Sequence, residues 1–133
     1  MKKNIVIIPG LDSDIGIWKT AKSSQQSIYD YLEKNHNIID LSIKLEKFLL
    51  NVDELLVFMD NTIPQQSYLL ANSFGCITSI LYAQKYPHKI KGIMLIDPTT
   101  HMESYRFNKF EDKIKEKLNE LINLQYNIKY LLF

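Results

Sequence analysis

The chain is poor in the residues that carry several common kinds of chemistry. Its 133 residues include one cysteine, four glycines, four prolines and one tryptophan. The single cysteine, Cys76, excludes an internal disulfide, and no Cys/His cluster has the spacing of a zinc site. No G-x-x-x-x-G-K-[ST] phosphate loop is present, and Pro9-Gly10-Leu11-Asp12 lacks the second and third glycines of a dinucleotide-binding turn. A net charge of +1 gives no argument for nucleic acid or an anionic membrane surface. No stretch approaches the ~20 apolar residues of a membrane span. The apolar run after Lys2 and Lys3 is broken by Pro9, too early for a secretory h-region. The expectation is a cytoplasmic protein without metal or organic cofactor. What remains is ordinary globular material, 46% hydrophobic and 23% charged. A chain of this length buries a sound core as a single domain over 1–133, with its core at 1–100 and a helical segment at 101–133.

Strand and helix patterns alternate, which argues for βαβ units and a parallel sheet. Strands are expected at Asn4–Ile8, Asn37–Leu41, Ser67–Ala71 and Ile90–Ile96. A helix occupies part of Trp18–Asn35. Leu45, Phe48, Leu49, Val52, Leu55, Leu56 and Met59 keep helical spacing and predict one amphipathic helix, ended by Asn61 to Pro64. Another runs from Phe74 to Lys85 and is stopped by Pro87. The fold class is therefore α/β, a three-layer sandwich around a mostly parallel sheet of about four strands, with C-terminal helices. Thr100 to Glu103 reads as a capping box before an apolar stripe from Phe107 to Ile128. That stripe either covers an otherwise exposed sheet or forms a lid-like wall.

The most informative segment is Ser67 to Gly75, SYLLANSFG. A short apolar run ends at Ala71-Asn72-Ser73-Phe74-Gly75, and a helical pattern follows at once. That is the outline of a nucleophile elbow, in which a sharp strand-to-helix turn exposes a serine at the sheet edge. A serine hydroxyl is a weak nucleophile and needs a base and backbone N–H groups beside it. Small residues at 71 and 75 let strand and helix approach closely. Ala71 stands where the usual G-x-S-x-G has its first glycine.

The start of the chain adds to this. An apolar strand, NIVII, runs into Pro9-Gly10-Leu11-Asp12, and Trp18 follows in VIIPGLDSDIGIW. After the elbow comes ILYAQKYPHKIKGIMLID. In order and spacing, Asn4 to Thr100 resembles the core of the α/β-hydrolase family. The resemblance implies a sheet order of second, first, third, fourth strand, so that Leu11 and Ser73 share the carboxyl edge where open α/β sheets bind ligands. It also implies an oxyanion hole from the backbone N–H groups of Leu11 and Phe74. Asp12, Trp18 and Asn72 would border the substrate pocket.

The chain departs from the family where the family usually carries its acid and its histidine, on two further strands that have no counterpart here. His36 and His88 precede strands and belong to the amino edge, away from Ser73. His101 follows the fourth strand and is the one base within topological reach of Ser73, since adjacent strands lie about 5 Å apart. It is either that base or a surface or capping residue. Asp97 either orients His101 or is a strand-end turn residue. The expected activity is hydrolysis of a small ester or related acyl substrate, with Ser73, His101 and Asp97 as catalytic residues. Two alternatives stand beside it. One is a non-catalytic domain that binds a ligand or partner at the same edge. The other is an incomplete piece of a hydrolase, or a homo-oligomer that completes its site, since exposed edge strands favour self-association.

Overall fold

The computed structural model describes residues 1–10, 16, 19, 22–23, 26–98 and 112–126. Strand β1 (Lys3–Ile8) comes first. A two-residue antiparallel ladder pairs β2 (Lys22–Ser23) with β3 (Gln26–Ser27). Helix α1 (Ile28–Asn35) then opens on a capping box, in which Asp30 N donates to Ser27 Oγ at 3.0 Å and Ser27 N to Asp30 Oδ2 at 3.3 Å. Strand β4 (His36–Asp40) follows directly.

The helix expected from Leu45 to Met59 is two helices, α2 (Leu45–Phe48) and α3 (Val52–Thr62). The break has a local cause. Asn51 leaves the helical region (φ −62°, ψ 160°) and its Oδ1 accepts from Glu54 N at 2.9 Å, so it caps a new helix. Apolar spacing runs unbroken across the cap because Phe48, Leu55 and Met59 all face one core. The chain continues through β5 (Ser67–Ser73), α4 (Phe74–Lys85), a 3-10 turn at Pro87–Lys89 and β6 (Ile90–Pro98). Helix α5 (Asp112–Tyr126) ends the described chain.

The four long strands form one parallel sheet in the order β4-β1-β5-β6, the order expected from the sequence. Alternation along the strands gives the sheet two apolar faces. Val6, Ile8, Leu69 and Ala71 face a large core shared with α3, α4 and α5, where Leu55, Met59, Ile77, Tyr82, Leu118 and Leu121 are fully buried. On the other face Ile7 and Leu70 meet Tyr29 and Leu32 of α1. Cys76, in the first turn of α4, is wholly buried in the large core.

Candidate functional site

Strand β5 carries its apolar residues straight into Ser73, where the backbone turns sharply. Ser73 holds φ 52° and ψ −123°, a region that non-glycine residues seldom occupy, and it is the N-cap of α4. Strain of this kind costs about 1–3 kcal/mol and persists only where surrounding packing fixes it. Here the packing is explicit. A Cβ placed on Gly75 would lie 2.2 Å from the Ile8 carbonyl oxygen and 2.7 Å from that of Pro9. Glycine alone lets α4 enter this close to the end of β1. Ala71, on the same face of β5, is fully buried.

The first turn of α4 is pinned from within. Ser79 Oγ donates to the Gly75 carbonyl at 2.6 Å and Thr78 Oγ1 to the same oxygen at 3.1 Å. The Phe74 N–H is the first of the helix, and the N-terminal end of α4 with its partial positive charge faces the carboxyl edge. Beside it a small cavity of about 10 Å³ is bordered by Pro9, Gly10, Phe74 and Gly75. Such a space is about one water in size.

Strand register fixes Asp97 relative to Ser73. Asn72 pairs with Ile96 and Ser73 with Pro98, with an irregularity between the two pairs. The backbone of Asp97 therefore sits opposite the Asn72–Ser73 step. Asn72 belongs to the face of β5 that also carries Leu70, away from α4. Its Oδ1 is buried without a hydrogen-bond partner. His36 begins β4, with Nδ1 at 3.0 Å from the Leu32 carbonyl, and His88 lies in the turn before β6, so both stand at the amino edge. Leu11, Asp12, Trp18 and His101 lie outside the described residues. Among the described residues no three His, Cys, Asp or Glu side chains gather as metal ligands. Nor is any helix among them long and apolar enough to cross a membrane.

One cluster had no signal in the sequence. Lys89 is 8% exposed and its Nζ donates to Asp60 Oδ1 at 2.7 Å and to the Asp60 carbonyl at 3.1 Å. Tyr82 Oη donates to the same Oδ1 at 2.9 Å. The hydrogen bond from Lys89 holds the Asp60 carboxyl below its ordinary range, and burial pushes the Tyr82 hydroxyl far up. These residues tie α3, α4 and the turn before β6 together at the amino edge. Three residues separated by 22 and 29 positions in sequence leave no local pattern to read.

The sequence model of a family described as "alpha/beta hydrolase fold" matches residues 47–127, more than half of the chain. No curated protein matches. Among solved structures, an α/β-hydrolase enzyme from the metagenome of lagoon sediments at Mar Chica, Morocco, superposes with a TM-score of 0.61 at 18% identity. The match covers 94% of this chain and 58% of that one. An extracellular α/β-hydrolase from a Paenibacillus species superposes with a TM-score of 0.55 at 16% identity, covering 86% and 49%. Its description gives it structural and functional homology to tobacco salicylic acid binding protein 2. The chain thus spans about half the length of these structural neighbours, and at such identities the likeness is one of fold.

Proposed function

Because the chain belongs to the α/β-hydrolase family, we propose that it is a serine hydrolase acting on a small ester or related acyl substrate through Ser73. The carrying observation is the backbone of Ser73, held at φ 52° between the end of β5 and the first turn of α4. In this reading the sharp turn presents the hydroxyl at the carboxyl edge, as in a nucleophile elbow. Maintaining it against the strain is the task of Gly75, which admits the helix against Ile8.

In this reading Ser73 Oγ attacks the substrate carbonyl while His101 accepts its proton. The carbonyl oxygen gains the negative charge, and the N–H groups of Leu11 and Phe74 receive it. Collapse of the tetrahedral intermediate expels the alcohol, to which His101 returns the proton. Water then repeats the sequence on the acyl-enzyme. Asp97, carried opposite the Asn72–Ser73 step, orients the imidazole. Asp12, Trp18 and Asn72 border the acyl group in this arrangement, and no metal or organic cofactor takes part.

The test is intact-mass detection of a fluorophosphonate adduct on the purified protein, with Ser73→Ala and His101→Ala alongside. One adduct on the wild type, absent from Ser73→Ala and strongly slowed in His101→Ala, is expected. A folded wild-type chain that takes no adduct sinks the proposal and leaves a non-catalytic binding domain. Activity that falls on dilution would assign the site to an oligomer.

A further inference from the structure

The face of the sheet opposite α4 is only partly covered. α1 lies over β1 and β4, while Met94 and Ile96 of β6 are 62% and 39% exposed. Between them runs a groove of about 390 Å³, of which Ser73 is not a lining residue. Its floor is built in register. Ile5, Tyr68 and Gly92 form one row, and Leu70 and Met94 the next. Gly92 keeps the floor low, because a Cβ there would meet the Tyr68 ring at 3.2 Å. Leu32 of α1 forms the wall.

The polar groups gather at one end. Lys3 and His36 are register partners on β1 and β4, and both line the amino end of the groove. Lys3 Nζ stands 5.6 Å from the Tyr68 ring centroid. His36 donates its Nδ1–H to the Leu32 carbonyl at 3.0 Å, so Nε2 of the neutral ring is an acceptor and Lys3 is left as the partner for an anion. Among the described residues no carboxylate lines the groove, and Glu33 of α1 accepts from Tyr29 Oη at 3.3 Å. From the Lys3 row to the Met94 row is four strand steps, roughly 13 Å.

We propose that this groove binds a single-chain amphiphile with a carboxylate head, the alkyl chain over Ile5, Tyr68, Leu70 and Met94 and the head at Lys3. Charge complementarity selects this occupant. An apolar trough lined at a single end by the cation of Lys3 matches a fatty acid. The site is separate from Ser73, so it does not depend on the hydrolase reading.

The experiment is calorimetric titration with decanoate and with 1-decanol, on the wild type, Ser73→Ala, Lys3→Glu and Met94→Glu. Both groove substitutions fall on exposed side chains, so the fold is kept. Saturable binding of one decanoate per chain is expected, unchanged in Ser73→Ala. Lys3→Glu is expected to weaken decanoate about tenfold while 1-decanol shifts by less than about twofold, and Met94→Glu to abolish both. Equal affinity for the acid and the alcohol in the wild type would overturn the proposal. So would decanoate binding that survives Met94→Glu, or a dimer that excludes decanoate and dissociates in Met94→Glu, because a second copy would then fill the groove.

Discussion

Gly75 meets the carbonyl of Ile8 so closely that a methyl group there would stand 2.2 Å from the oxygen. Neither partner has a side-chain torsion with which to yield, since the obstacle is backbone. Gly75→Ala therefore forces α4 away from β1, and overpacking of this kind costs about 3 kcal/mol or more. The gain in helix propensity, about 1 kcal/mol, does not offset it. Urea denaturation reads the loss. Gly92→Ala is the control, because its obstacle is the Tyr68 ring at 3.2 Å, a side chain that can shift. Its effect is expected to stay within about 1 kcal/mol.

Ser73 invites an opposite result. Its φ of 52° is strained for any residue with a Cβ and free for glycine. Ser73→Gly and Ser73→Ala both remove the hydroxyl, so the comparison between them isolates the backbone. Ser73→Gly is expected to be the more stable by about 1 kcal/mol, the relieved strain less the extra entropy of glycine in the unfolded chain. Equal melting temperatures would mean that the turn is relaxed. Both variants are expected to take no fluorophosphonate label, so stability and reactivity move in opposite directions at this residue.

The strands were legible because parallel strands buried on both faces announce themselves as unbroken apolar runs, as at Ile5–Ile8 and Ser67–Ala71, whereas their order β4-β1-β5-β6 was implied by the family resemblance. Helix α4 was bounded on both sides, by the small residues of the turn and by Pro87. Helices α2 and α3 were merged for a definite reason. Hydrophobic spacing reports which face is buried, and the two helices bury against the same core, so only the capping side chain of Asn51 marks the break. The site was legible to the extent that it is local. Ser73 and Phe74 sit in one continuous motif, whereas the orphaned oxygen of Asn72 follows from packing that no local pattern encodes.

That break makes its own prediction. Asn51→Ala removes the acceptor for Glu54 N and is expected to cost about 1 kcal/mol. Asn51→Asp keeps an acceptor and adds a charge that the N-terminus of α3 favours, so it should match or exceed the wild type. A loss in Asn51→Asp equal to that in Asn51→Ala would show that the side chain does not cap the helix. The readout is the urea midpoint at unchanged slope.

The Lys89–Asp60–Tyr82 cluster contributes to the pH dependence of stability at both ends. Asp60 titrates below its ordinary 3.8 when folded, so its contribution is present above that value and fades as the pH falls through the folded one. Tyr82 behaves in the other sense. Its folded value is raised, so its contribution is full below its ordinary 10.0 and is lost as the pH climbs from there. Tyr82→Phe removes one hydrogen bond to a carboxylate and should cost about 1.5–3 kcal/mol at neutral pH. It should also flatten the alkaline limb, since no hydroxyl is left to ionise on unfolding. Lys89→Met instead acts at the acid end. It leaves Asp60 with Tyr82 alone and lets its folded value rise toward the unfolded one, so the wild-type loss below about pH 4 shrinks. Urea titrations of both variants across pH separate the two limbs. If Lys89→Met lowers stability by the same amount at every pH, the ammonium acts through packing of its alkyl stem and not through the carboxylate.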